Sequence, residues 1–495
     1  MKGWVVFLVV FVLYFVSIFG GFVQDDNKVI VGDPEMGTVR ALASTWTRPY
    51  YWREVEKSVY RPVTSFSFYL NSLITGKEAW GFRLGNVLIY VFMCWLVFEV
   101  MTKITDKKRA FWGALIFAVL PIHAEVVNNI VGRAEMLSLG FLLLAVLKNF
   151  GGKWDLSALF LVLAMLSKET AVVGIPILLY LIWTRKGKER WPASIFVMMA
   201  LIGFVALRVV VLGGLGFGNN ATMVENPLKF VEADTRIRTA IGLIPVGIGK
   251  IIAPVNLSYD YSFNQIKPVE SWWDWRVVVG FMMIVSSVGS LLFESLRKNR
   301  FWIVGMMMFW GPVLITGNLL FPIGTIFGER LWFLPSLGVV MMVMSIGSET
   351  AKNRTPAYLS RVSLAWTWSV RFVGYSSAPL FVAVLIVFSG RTFARNLDWL
   401  SQERLFLHDA AYATDSVLAQ NNKAAMYLKN RELERARATM EIADRIYPKY
   451  PELLNNWGLY YAWTGNKEEA NNKFEECLVE RPGNELCQGN LKILK

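Results

Sequence analysis

The chain has 495 residues, of which 54% are hydrophobic and 18% charged, a balance that excludes an ordinary soluble protein and describes a polytopic membrane protein. Its net charge of +13 is not a nucleic-acid signature, because residues 392–495 carry about as many acids as bases and the excess sits in the apolar part. There it orients the chain and attracts anionic headgroups.

Residues 3–23 form the first apolar run, long enough to span, and no small-residue cleavage signal precedes Gln24, which predicts a retained helix rather than a signal peptide. Further spans are expected near 83–102, 110–122, 134–147, 155–166, 170–184, 192–213, 276–294, 301–321, 330–347 and 374–390, about eleven in all. Those at 110–122 and 155–166 fall short of the roughly 20 residues that cross a bilayer. Short spans meeting at polar residues line a cavity, since irregular backbone at membrane depth must be shielded from lipid. An apolar, Gly-rich piece at 239–253 is expected as an interfacial or re-entrant helix.

Four basic clusters fall on one side of this eleven-span arrangement: Lys103, Lys107, Lys108 and Arg109; Arg185, Lys186, Lys188 and Arg190; Arg297, Lys298 and Arg300; Lys352, Arg354, Arg361 and Arg371. Positive charge in short loops favours the cytoplasm, so the opposite face, with the loop at Asp25, the segments around His123, Lys168 and Arg330, and the C-terminus, is expected to be extracytoplasmic.

That face gathers ionisable groups. Asp25 and Asp26 stand together where the first apolar run ends. Two carboxylates at a membrane surface are costly unless solvated or used, and a solvated turn is the plain alternative. HAEVVNNIVGRAEML at 123–137 adds His123, Glu125, Arg133 and Glu135; a polar island between two short apolar runs adds Lys168 and Glu169; 60–71 adds Arg61, and 321–336 adds Glu329 and Arg330. A lone His in the membrane part argues against zinc. Four cations, Arg61, Arg133, Lys168 and Arg330, suit a phosphate, with Arg133 expected to pair Glu125 or Glu135 as scaffold. Tyr259, Asp260 and Tyr261 offer sugar or lipid contacts from a loop, although aromatics at a membrane interface are more often simple anchors.

Beyond Arg391 the composition turns charged, Asn-rich and helix-periodic. Shifted by 34 residues, Ala424 falls on Gly458, Tyr427 on Tyr461, Ala436 on Ala470, Met440 on Phe474 and Pro448 on Pro482, which resembles the tetratricopeptide pattern. Residues 399–420 read as a preceding helix and 485–495 as the start of a capping one. Cys94, Cys477 and Cys487 have no zinc or redox spacing; an oxidising compartment leaves Cys477 and Cys487 free to pair, but nothing in their spacing requires it. The array suits an extended peptide or docking on the membrane part.

FVQDD, VYRPVTSFSFYLN, PIHAEVVNNIVGRAEML, LSKE, LSYDYS and LLFPIGTIFGERLWFLPSLG follow the order seen in the transmembrane and tetratricopeptide-repeat O-mannosyltransferases that modify cadherins, and in their prokaryotic relatives. The chain resembles that family over nearly its whole length, with a much shorter repeat array. The resemblance implies an all-α GT-C glycosyltransferase fold over 1–391, an extracytoplasmic repeat domain over 392–495, and a sugar donor linked to a polyprenyl phosphate. It also implies a base in the first outer loop, at Asp25 or Asp26. The residues ask for the same parts. Transfer to a Ser or Thr hydroxyl needs a carboxylate to take its proton, with Asp25 the first choice. Fixed cations stabilise the departing lipid phosphate, first Arg330, then Arg61 and Lys168. His123, Glu125, Arg133, Glu135, Glu169, Asp260 and Glu329 are expected to support the site.

A single inverting displacement needs no metal, although the aspartate pair leaves chelation open. The partners expected are the lipid-linked sugar, a protein or peptide acceptor, and membrane lipids, with no nucleic acid. A prokaryotic plasma membrane is expected, or the ER membrane with a lumenal site in a eukaryote. The rivals are a glycolipid or wall-polymer acceptor for the same chemistry, a lipid transporter or flippase, and an inactive scaffold.

Overall fold

A computed structural model describes residues 3–51, 59–185, 187–214, 221–346 and 377–494. Within them the regular structure is entirely helical. Every expected span coincides with a helix, but the helices differ in reach. Ala79–Ile104, Ile130–Phe150, Arg190–Leu212 and Pro379–Asp398 are long and apolar enough to cross a membrane, and Lys107–Ala118 with Pro121–Asn128 makes one pair bent by 53°. Trp4–Phe19, Trp154–Ser167, Glu169–Trp183, Trp275–Ser290 and Arg300–Thr316 are apolar but shorter, and Phe333–Ser345 is short as well. By length and composition, four or five spans therefore stand among the described residues against an expectation of about eleven. Lys186 and the fourth basic cluster lie outside the described residues.

The short helices end where polar residues interrupt the apolar runs. Pro121, which has no N–H to donate, opens a tight turn between the two arms of the bent pair. Lys168 is fully extended at φ −156° and ψ 134° and separates Trp154–Ser167 from the turn at Glu169–Val173. The Ser167 carbonyl released by that break is taken by the Thr64 hydroxyl at 2.9 Å. Irregular backbone is thus buried in protein, as lipid requires. The piece expected at 239–253 is longer than anticipated: a continuous helix, Ala233–Ile252, lies against Trp275–Ser290. Its first turns carry Asp234 and Arg238, paired at 2.9 Å, so hydropathy alone hides them.

In the C-terminal part Val417–Lys429 pairs with Leu433–Ile446, and Pro451–Trp463 with Lys467–Glu480. The positions related by 34 residues are interior in both repeats: Ala424, Ala436, Met440, Ala470 and Phe474 are all buried. The core conserves volume between repeats by exchanging Ala424 and Met440 for Gly458 and Phe474. A Cβ at Gly458 would stand 2.4 Å from the Phe474 ring. Glu485–Leu494 follows as a last helix, joined to the second repeat by a Cys477–Cys487 disulfide. The single helix expected over 399–420 is instead Gln402–Asp409 followed by a turn, because Ser416 caps a new helix by accepting from Ala419 N at 3.0 Å.

The repeats are fastened to the membrane part. Arg395 grips both oxygens of Asp409 at 2.6 and 2.7 Å, and the same carboxylate accepts from Tyr259 N at 2.6 Å. Backbone bonds from Asn264 N to Asp415 O and from Val417 N to Phe263 O, both 2.8 Å, stitch the 257–264 loop to the first repeat.

Candidate active site

The first helix, Trp4–Tyr14, tightens into a 3-10 turn at Phe15–Phe19 and stops at Gly20. Glycine is required there because a Cβ would lie 2.4 Å from Cζ of Arg83. That buried guanidinium collects the carbonyls of Ser17 and Gly21 at the helix end and of Trp399 from the segment leading into the repeats. The chain then turns so that the two aspartates face different ways.

Asp26 is fully buried, accepting from Val23 N at 3.2 Å and from Val131 N at 3.1 Å, and so ties this turn to the 123–137 segment. Burial pushes its carboxyl up to about 7, with the charge of Arg83 pulling the other way. Asp25 is half-buried, and its carboxylate has no hydrogen-bond partner among the described residues. It lies within electrostatic reach of Arg330 and Tyr50.

Arg330 is held by Glu125, which takes its backbone N–H at 3.0 Å and Nη1 at 2.8 Å. The Glu125 side chain is 2% exposed and that of Arg330 38%. Nε and Nη2 of Arg330 have no protein partner among the described residues. One residue further, Leu331 and Trp332 enter an apolar cleft with Leu243, Ile244, Val313 and Phe327.

The other expected cations are engaged. Arg61 makes a two-point contact with Glu169, at 2.7 and 3.0 Å, and lies 5.5 Å from the centre of the Tyr50 ring. Lys168 is buried against Glu135. Arg133 is sealed inside, donating to Asn86 and Asn71 side chains and to the Ser67 and Phe82 carbonyls. It is scaffold, but its partners are amides and carbonyls rather than Glu125 or Glu135.

His123 is not at the surface of this site. Its ring is buried between Phe117 and Phe333, and both nitrogens are taken, by Tyr90 Oη and Ser336 Oγ at 2.8 Å each. Glu329 is likewise interior, with Oε1 accepting from Ser258 N at 2.7 Å and Tyr261 Oη at 2.6 Å while Oε2 is buried without a partner among the described residues. Burial raises its carboxyl above the usual range against the pull of Arg395. Asp260 accepts from Ser262 at 2.8 Å and from Ser416 of the repeats at 2.5 Å, and burial raises it too. Asp260 and Glu329 thus brace the 257–263 loop and the repeat junction.

Among the described residues no group of three or more His, Cys, Asp or Glu is placed to hold a metal ion. Sequence reasoning missed Tyr50, Arg83 and the Arg395 to Asp409 pair. Arg83, a charge in the first turns of an apolar helix, was the one with a legible signal.

A family model described as dolichyl-phosphate-mannose-protein mannosyltransferase matches residues 60–212, and one described as protein O-mannosyl-transferase TMTC, DUF1736, matches residues 220–288. Human protein O-mannosyl-transferase TMTC3 is 27% identical over 94% of this chain and 53% of its own length; mouse TMTC3 is 25% identical over 93% and 53%. The Caenorhabditis elegans protein O-mannosyl-transferase F38B6.6 is 25% identical over 80% of this chain and 55% of its own. The chain spans about half the length of the curated relatives it matches.

Proposed function

We propose that this chain, a member of the transmembrane and tetratricopeptide-repeat O-mannosyltransferase family, moves mannose from a polyprenyl-phosphate donor to Ser or Thr hydroxyls of proteins, with inversion at the anomeric carbon. The observation that carries the reading is the pairing of opposites at one surface. Among the described residues Asp25 is a half-buried carboxylate without a hydrogen-bond donor, and Arg330 nearby keeps two nitrogens unpaired. The acceptor oxygen attacks the anomeric carbon while its proton passes to Asp25. The bond from that carbon to the phosphate oxygen breaks, and its electron pair leaves with the phosphate, which Arg330 receives. Glu125 fixes the guanidinium plane beforehand, so little reorganisation remains for the reaction. The match of residues 60–212 to the family described as dolichyl-phosphate-mannose-protein mannosyltransferase supports a lipid-linked donor. One carboxylate acting once supports a single displacement rather than a covalent glycosyl-enzyme intermediate.

The arrangement also supports an extracytoplasmic site. Arg83 binds the Asp25 turn near the start of Ala79–Ile104, whereas Lys103 lies 20 residues further along that helix, roughly 30 Å away at 1.5 Å per residue. Arg300 donates to the Thr184 carbonyl at 2.9 Å, so the second and third basic clusters share one end. The Cys477 to Cys487 disulfide fits an oxidising compartment for the repeats.

The test is transfer from radiolabelled polyprenyl-phosphate mannose, in membranes containing the chain, to Ser/Thr peptides. Label in the peptide, absent with the lipid-free nucleotide sugar alone, is the expected result. Label appearing only in glycolipid or polymer would replace the acceptor, and no transfer from the lipid donor would overturn the reading.

A further inference from the structure

The repeats carry a pattern that core packing does not require. At the 34-residue period, Asn421 and Asn422 recur as Asn455 and Asn456, and Asn422 recurs once more as Asn490. All lie on the first helix of their repeat, or on the last helix, which occupies the equivalent place. Their side chains join across repeats. Asn456 Nδ2 donates to Asn421 Oδ1 at 2.8 Å, and Asn490 Nδ2 to Asn455 Oδ1 at 2.8 Å. The row does not stop at the edge of the repeats. Asn422 Nδ2 donates at 2.9 Å to the hydroxyl of Tyr259, whose neighbour Asp260 is bonded to Ser416 and feels the charge of Arg330.

A side-chain amide has two donors and one oxygen with two acceptor sites. Each rung uses only part of this capacity. The Oδ1 atoms of Asn422, Asn456 and Asn490, and the Nδ2 groups of Asn421 and Asn455, have no protein partner among the described residues, and none of them is sealed from solvent without one. The outcome is a row of alternating acceptors and donors, pre-oriented by the bonds between rungs and running toward the 257–263 loop, in which Asn421, Asn455 and Asn456 are each less than a tenth exposed and present only the edge of the amide. Extended polypeptide backbone presents the complementary alternation of N–H and C=O.

The geometry points to this asparagine row as the track on which the acceptor polypeptide lies, held in extended form by its backbone amides and therefore with little regard to sequence, its leading end delivered past Tyr259 to the site. This rests on the proposed protein acceptor and deepens it. Recognition through amides leaves Ser and Thr hydroxyls unengaged and available to Asp25.

The test uses the full chain in detergent without any sugar donor, and reads the fluorescence anisotropy of a labelled, unstructured Ser/Thr/Ala peptide. Removing two rungs in Asn456→Ala/Asn490→Ala is expected to weaken binding roughly tenfold, from the lost neutral hydrogen bonds. Since that variant also loosens contacts between repeats, a peptide with alternate backbone nitrogens methylated is measured against the unaltered chain, and it too is expected to bind roughly tenfold more weakly. Equal binding of the methylated and unmethylated peptides, or no binding of either, overturns the track and makes the rungs a purely structural link between repeats. Track-dependent binding in a chain that transfers no mannose would instead overturn the proposed reaction and leave the track standing.

Discussion

Two polar regions of this molecule are built from the same residue types and differ in how completely those groups are paired. At the junction with the repeats, Arg395 is closed on Asp409, Arg83 on three carbonyls, and Asp260 on two hydroxyls. Around Asp25 and Arg330, by contrast, a carboxylate has no hydrogen-bond donor and a guanidinium has two unpaired nitrogens among the described residues, at a half-exposed surface. Burial explains the division: a charge withdrawn from water must find partners within the protein, whereas one left open at a cleft is available to a ligand. The first region is architecture, and the second is where we place chemistry.

Changes at the two regions should therefore fail in different ways. Arg330→Ala removes the group we propose to face the departing phosphate and should lower the rate constant for transfer by about 10²–10³-fold, the usual loss for one preorganised charge-stabilising donor. Single-turnover transfer from labelled lipid donor checks it. Arg395→Ala leaves the buried Asp409 carboxylate without its guanidinium, with Tyr259 N and the His408 ring still beside it, and loss of a buried ion partner typically costs about 3–5 kcal/mol. The expected signs are a lower melting temperature and faster proteolysis between the membrane part and the repeats. Transfer to a short peptide by the folded fraction should persist. A loss of chemistry as deep as that of Arg330→Ala, without loss of stability, would erase the distinction.

Asp26→Asn should be milder. The amide keeps one acceptor oxygen where the carboxylate offers two, so one backbone N–H is orphaned, at about 1–3 kcal/mol. The sign of its pH dependence follows from its burial, which raises the carboxyl from 3.8 to about 7 in the folded chain. Folded protein then binds the proton more readily than unfolded, so the contribution is fully present below pH 3.8 and is lost as pH rises toward 7. Melting temperatures across that window should fall with pH in the natural chain and flatten in Asp26→Asn. The smallest expected effect is none: EDTA should leave the rate unchanged, since the proposed displacement needs no metal.

The helices were legible because apolar runs and the period of 34 are written in local sequence. Their ends were less so. The break at Lys168 is a tertiary outcome, stabilised by Thr64 taking the Ser167 carbonyl, and the charged first turns of Ala233–Ile252 concealed a third of that helix from hydropathy. The residues that gather near Asp25 were visible as ionisable islands in an apolar chain, but their division of labour was not. Nothing local says that His123 turns inward between two Phe rings, or that Arg61 and Lys168 are already neutralised by Glu169 and Glu135. Adjacent aspartates look alike in sequence; the turn forced by Gly20 and Arg83 makes one a buried anchor and leaves the other half-open.

That difference gives the most direct test. Transfer from polyprenyl-phosphate mannose to peptide is measured for Asp25→Asn and Asp26→Asn in matched membranes, with the amount of folded protein determined for each. The account predicts that Asp25→Asn folds like the natural chain and loses transfer, while Asp26→Asn is less stable but transfers once folded. Full activity in Asp25→Asn, or its loss only in folded Asp26→Asn, would contradict it.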